Sequence, residues 1–177
     1  QINGGWAVLA GAIALDPSDL QMMRNLYEAE VARLDGLVGQ LVDGLAARGL
    51  LDGTLLIVTA DHGEAFGEHG MIDHLFSMYD STLRVPLIIH FPARFRAGDV
   101  RGELVSLVDI VPTILDVAGI SDRAGHEAPR SLADPDRIAA SYVVAENERP
   151  LHALELMKAG FPDFDMQPYD HRLRMIR

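Results

Sequence analysis

The chain has 177 residues, 49% hydrophobic against 23% charged, which is enough apolar material for a sizeable core and too much for a disordered tail. Lys+Arg 15 against Asp+Glu 26 leaves a formal net charge of -11, a balance that argues against nucleic acid or an anionic membrane surface as partner. With no cysteine, the chain has no disulfide, thiolate nucleophile, Cys-ligated zinc or iron–sulfur cluster, and its compartment is left open. The apolar run Trp6 to Leu15 lacks preceding basic residues and falls far short of the ~20 residues that span a bilayer, so it is predicted to be buried rather than membrane-spanning.

A helix is predicted from Asp16-Pro17, where Asp16 can cap and Pro17 suits the first helical position. Leu20, Met23, Leu26, Val31, Leu34, Val38, Leu41 and Leu45 recur at three-and-four spacing, and Arg48-Gly49 ends the helix. Gly36, Gly39 and Gly44 each weaken it by about 1 kcal/mol against alanine, so it should depend on packing against a sheet. Thr54–Thr59 and Val85–Phe91 are β-branched and apolar runs, predicted as strands buried on both faces. Val105–Val108 is a further apolar run, followed by a helix Asp109–Ala118 that Gly119 closes. Ser121–Asp136 reads as an irregular surface stretch, and Ser141–Glu146 and His171–Ile176 as strands that pair at the start of a smaller sheet. Helices alternating with buried strands give an α/β architecture.

Residues 61–80 concentrate the chemistry. They hold five carboxylates (Asp61, Glu64, Glu68, Asp73, Asp80) and His62, His69 and His74, with no Lys or Arg. They start where a predicted buried strand ends, which is where open α/β sheets place ligand sites. Asp61-His62-Gly63-Glu64 puts a carboxylate oxygen and an imidazole nitrogen on adjacent residues, and Gly63 lets the backbone bend so that both face one divalent cation. On the dipeptide alone, an N-capping Asp beside a surface His is the simpler reading; the acidic, histidine-rich surroundings favour the site. No Gly-rich phosphate loop, EF-hand loop, His-Glu-x-x-His pair or glycine-flanked nucleophilic serine is present.

Thr59-Ala60-Asp61-His62-Gly63-Glu64, Gly67-Glu68-His69-Gly70, Tyr79 and Arg84-Val85-Pro86-Leu87-Ile88-Ile89 together resemble the metal-binding segment of the sulfatase family in the alkaline phosphatase superfamily. The resemblance extends to the helix Tyr27–Leu45 and to Val108-Asp109-Ile110-Val111-Pro112-Thr113. It implies helices flanking a mostly parallel sheet, incomplete here, followed by the start of a small antiparallel C-terminal sheet, with a boundary near residues 135–136: residues 1–135 as the later part of the catalytic domain and 136–177 as the start of a C-terminal subdomain. It implies a divalent metal held by Asp61 and His62, usually calcium, with manganese, zinc and magnesium as alternatives. His74 stands where many sulfatases carry a sulfate-contacting lysine, so it is the expected catalytic and substrate-binding residue, with His69 as a second substrate contact. The implied substrate is a small-molecule or saccharide sulfate ester.

The family's N-terminal Asp-Asp metal pair and its Cys-x-Pro-x-Arg motif, which matures to formylglycine, are absent from this sequence. The expectation is therefore that Gln1 lies downstream of the nucleophile and that this chain alone is inactive. Within the superfamily a phosphodiesterase, phosphonate hydrolase or phosphoethanolamine transferase is the alternative, and a non-catalytic domain that retains the fold is the reading outside it.

Overall fold

The computed structural model describes residues 4–120, 131–136 and 139–177; the sequence reading of 121–130 as irregular surface lies outside the described residues. The described chain divides into two units, one of residues up to 38, 62–85 and 144–175, the other of residues 39–61, 86–143 and 176–177.

In the first unit, helix α1 (Gly4–Leu9) buries Trp6 and Ala7, so only the front of the Trp6–Leu15 run is buried, and Ile13 is exposed. Helix α2 (Pro17–Ala47) starts as predicted. Asp16 Oδ1 accepts from the N–H groups of Ser18 (2.7 Å) and Asp19 (3.0 Å), while Asp19 Oδ2 accepts from the Asp16 N–H at 2.9 Å, a reciprocal cap on the orphan donors of the first turn. In the second unit the helix stops at Gly49, whose φ of 67° is left-handed and whose N–H donates to Ala46 O. The predicted packing of its apolar stripe is not realised among the described residues: Leu26 is 62% exposed and Leu34 56%.

The core of the first unit is built on a helix that the strand-rich reading of its C-terminal residues does not contain. Helix α5 (Leu151–Gly160) buries Ala153, Leu154 and Met157. Ala153 and Met157 meet Trp6, and Leu9, Leu75, Phe76, Phe161, Phe164 and Met166 close around them. Strand β5 (Val144–Asn147) pairs with β6 (Leu173–Ile176), as the sequence suggested. Reciprocal bonds between Val143 and Arg177 (2.9 and 3.0 Å) set the pair antiparallel, and the Glu146–Arg174 and Glu148–Arg172 ion pairs keep its register.

In the second unit, β1 (Leu56–Thr59) pairs antiparallel with β4 (Leu87–His90), Ile57 opposite Ile89. Two expectations from the sequence are not seen among the described residues. The described strands, including the hairpin β2 (Ala65–Phe66) and β3 (Ile72–Asp73) of the first unit, form antiparallel two-stranded ladders, so no parallel pairing is seen among the described residues. With one neighbour each among the described residues, β1 and β4 are also not buried on both faces, and Ile88 is 62% exposed. Val105–Val108 forms no strand either, because Ser106 and Asp109 make a capping box that turns Leu107–Asp109 into a 3-10 turn. Helix α4 (Ile110–Val117) follows, and the fully buried Thr113 explains its Pro-Thr: the hydroxyl donates to Asp109 O (2.6 Å) and accepts from the Leu132 N–H (2.8 Å). Together these elements make a mixed α/β chain.

Candidate active site

The predicted metal ligands follow the end of β1. Thr59 closes the strand, its hydroxyl donating to Pro86 O at 2.7 Å, and Asp61 and His62 come next, both exposed. A carbonyl can only accept, so the 2.9 Å contact between His62 Nδ1 and Gly63 O places the ring proton on Nδ1. Nε2 then carries the lone pair, the tautomer a metal ligand needs. Asp61, the preceding residue, carries a hard carboxylate oxygen, and carboxylate and imidazole are donor types that suit a divalent cation.

Gly63 is required by its neighbours. Its N–H donates to Thr82 O at 2.8 Å, in the short helix α3 (Asp80–Leu83), and a Cβ at this position would sit 2.1 Å from Ser81 O. The chain then runs through the β2–β3 hairpin, which returns His74 to His62: the two imidazoles stack with centroids 3.9 Å apart and planes at 26°. His74 Nδ1 lies 3.0 Å from Asp73 Oδ1 and 3.3 Å from Glu64 Oε2. Asp73 stands at φ 77°, a left-handed conformation that a non-glycine residue holds at some cost, and its Oδ1 also accepts from the His74 N–H at 2.6 Å. One carboxylate oxygen each from Glu64 and Asp73 and one ring nitrogen of His74 thus lie within 4.8 Å of one another. Glu64 Oε1 is buried with no hydrogen-bond partner.

The structure therefore brings His62 and His74 together and adds Glu64 and Asp73 to them. His69 makes its ring contact elsewhere: it stacks on Tyr79 with centroids 3.7 Å apart, at a left-handed φ of 55°.

A residue from α2 ties this loop down. Arg24 Nη2 donates to Phe66 O (3.0 Å) and to Glu68 Oε1 (2.6 Å), while Glu68 Oε2 accepts from the Phe66 N–H at 2.6 Å. No short-range pattern announces a pairing across 44 residues. Burial works against the charge on Glu68, yet the Phe66 and Glu68 N–H groups and Arg24 together hold its carboxyl below the ordinary value of 4.5. A depressed carboxyl contributes stability above its unfolded value and loses it as pH falls through the folded one. The protection of the Phe66 amide against hydrogen exchange, corrected for intrinsic rate, is therefore expected to hold at neutral pH and to fall once pH drops below about 4.5. In Glu68→Gln this step should disappear; a step that persists unchanged would assign it to another group.

A family profile described as Sulfatase matches residues 12–120. The chain belongs to the sulfatase family. An N-acetylglucosamine-6-O-sulfatase of Bacteroides thetaiotaomicron is 34% identical over 87% of this sulfatase-family chain and 25% of its own length. Human arylsulfatase K is 38% identical over 77% of the chain and 24% of its own length. The chain thus spans about a quarter of the length of these curated relatives. A phosphonate monoester hydrolase from Silicibacter pomeroyi superposes with a TM-score of 0.72 at 28% identity, covering 92% of this chain and 33% of that one. A protein solved with its substrate D-glucosamine-2-N,6-O-disulfate gives 0.59 at 32% identity, covering 68% and 26%. The fold is that of the alkaline phosphatase superfamily, and sulfatases use a divalent metal. Among the described residues no helix is long and apolar enough to cross a membrane.

Proposed function

We propose that the whole protein hydrolyses a sulfate ester, with a saccharide sulfate as the substrate class, and that this chain supplies one wall of the active site. The observation that carries the reading is the pairing of His62, in its metal-ligating tautomer, with a stacked His74 on a loop whose sequence matches sulfatases. Asp61 and His62 would hold the divalent cation, calcium in this reading, which when bound offsets negative charge on the ester oxygens. His74 faces the ester and gives a proton to the leaving oxygen as its bond to sulfur breaks, so that the alcohol departs neutral. His69, stacked on Tyr79, is a further contact for the substrate. In this reading the attacking group is a formylglycine supplied by the whole protein outside these residues.

The β1–β4 ladder is proposed to belong to a larger, mostly parallel sheet, with residues 1–135 in the catalytic domain and 136–177 opening a smaller one. The relatives' names, a glucosamine sulfatase and a structure holding a glucosamine disulfate, favour an aminosugar sulfate. The structural likeness to a phosphonate monoester hydrolase favours a second reading, a phosphonate or phosphodiester substrate. Assay of the full-length protein on 4-nitrophenyl sulfate, N-acetylglucosamine 6-sulfate and a phenyl phosphonate monoester decides between them. The sulfates are expected to win in kcat/KM by about tenfold or more. A preference for the phosphonate would move the protein to the second reading.

A further inference from the structure

We infer that Asp73 and Glu64 are positioning residues that lock the His74 imidazole with Nε2 as its only working nitrogen. The inference rests on the role given to His74 above, but its geometry stands independently. A free imidazole turns about two side-chain torsions and exchanges its ring proton between two nitrogens. Both freedoms are closed here. The ring face lies on His62 at 3.9 Å, which fixes the plane, and one ring edge points Nδ1 at Asp73 Oδ1 (3.0 Å) and Glu64 Oε2 (3.3 Å), which fixes rotation within the plane. Both carboxylate oxygens face Nδ1 within hydrogen-bond reach, which makes Nδ1 the donating nitrogen, and Nε2 makes no hydrogen bond among the described residues. When the proton passes from Nε2 to the leaving oxygen, the pair left on Nε2 stays there and nothing moves at Nδ1.

The backbone supports the same assignment. Asp73 is held at φ 77°, and its carboxylate, whose side chain is only 12% exposed, bonds both the His74 N–H and the His74 ring. A glycine would hold that backbone without strain, whereas the aspartate places its carboxylate on both the His74 N–H and the His74 ring. Glu64 completes the clamp from the other end of the hairpin, ten residues away, with its second oxygen buried and unpaired.

The test compares Asp73→Gly, Asp73→Asn and Glu64→Leu in the full-length protein. Asp73→Gly suits the left-handed backbone, so it should fold with an unchanged denaturation midpoint while losing the clamp. Its kcat, and that of Glu64→Leu, is expected to fall roughly tenfold or more with KM little changed, and Asp73→Asn, whose amide oxygen can still accept from Nδ1, should recover most of the loss. Ring-nitrogen NMR of His74, assigned against His74→Gln, gives a readout free of activity: the neutral ring should be protonated at Nδ1 in the parent and Asp73→Asn, and shift toward Nε2 in Asp73→Gly/Glu64→Leu. Parent-like ring shifts in that double variant would overturn the inference whatever the substrate. If no ester is turned over, the sulfatase reading fails on its own while the NMR result still decides this one.

Discussion

Asp61→Ala in the full-length protein is expected to abolish bound metal and to lower turnover of a sulfate ester about a thousand-fold, some 4 kcal/mol of transition-state stabilisation. Asp61 and His62 follow strand β1 consecutively, and the Nδ1–H of His62 donates to Gly63 O at 2.9 Å, which puts the lone pair of the neutral ring on Nε2. A neutral imidazole and an anionic carboxylate contribute differently to holding a dication: the carboxylate brings charge as well as a donor atom. Asp61→Asn should therefore retain the donor but lose most of the affinity, and His62→Ala should lose metal and also remove the ring on which His74 stacks at 3.9 Å. Elemental analysis of the purified variants reads metal directly, and His152→Ala, on α5 and outside this loop, should match the parent in both metal and rate. Parent-like metal content and turnover in Asp61→Ala would overturn its role as a metal ligand, whereas a parent protein with neither bound metal nor turnover would leave only a non-catalytic domain that keeps the fold.

What the sequence disclosed about this site tracks how local each interaction is. The Asp16 cap, the Gly49 stop and the β1 run are short-range features, and each stands where its pattern places it. The Asp61-His62-Gly63 turn is equally local, and so is the motif ending in Pro112-Thr113, whose hydroxyl turned out to bridge Asp109 and Leu132. The Arg24–Glu68 clamp joins residues far apart in the chain, and nothing in either neighbourhood marks it. Asp73 was visible as one acid among several, yet its role depends on a left-handed φ that composition does not encode. Val105–Val108 has strand composition, but the Ser106–Asp109 capping box outcompetes it, a case of side-chain hydrogen bonding overriding β-branched propensity. Helix α5 did carry a signal, since Leu151, Leu154 and Met157 are three apart, and it anchors a core that the pattern of strands around it obscured.

Gly63→Ala is expected to be the most damaging single methyl that can be added to the loop. The new Cβ would fall 2.1 Å from Ser81 O and 3.3 Å from Thr82 Cα, and both of these are backbone atoms that no rotamer change can move. Residues 81–82 or residues 62–64 must therefore retreat, and either retreat stretches the 2.8 Å bond from the Gly63 N–H to Thr82 O. Overpacking of a tight contact and the weakened bond together suggest a loss of about 3 kcal/mol, read as a lower urea midpoint for the full-length protein. The functional loss should exceed what unfolding explains. His62 immediately precedes the displaced residue and His74 is stacked on it, so a shift of about 1 Å moves both imidazoles from their working positions, a displacement that typically costs about a hundredfold in rate. Gly70→Ala supplies the contrast, because its φ of 73° also disfavours a side chain but its Cβ meets nothing within 4 Å. That variant should lose about 1–2 kcal/mol through backbone strain and keep most of its activity. Equal rates for the two variants would show that the Gly63–Ser81 contact does not position the histidines, whereas a rate lost only in Gly63→Ala ties the close backbone approach behind Asp61-His62 to the alignment of His74.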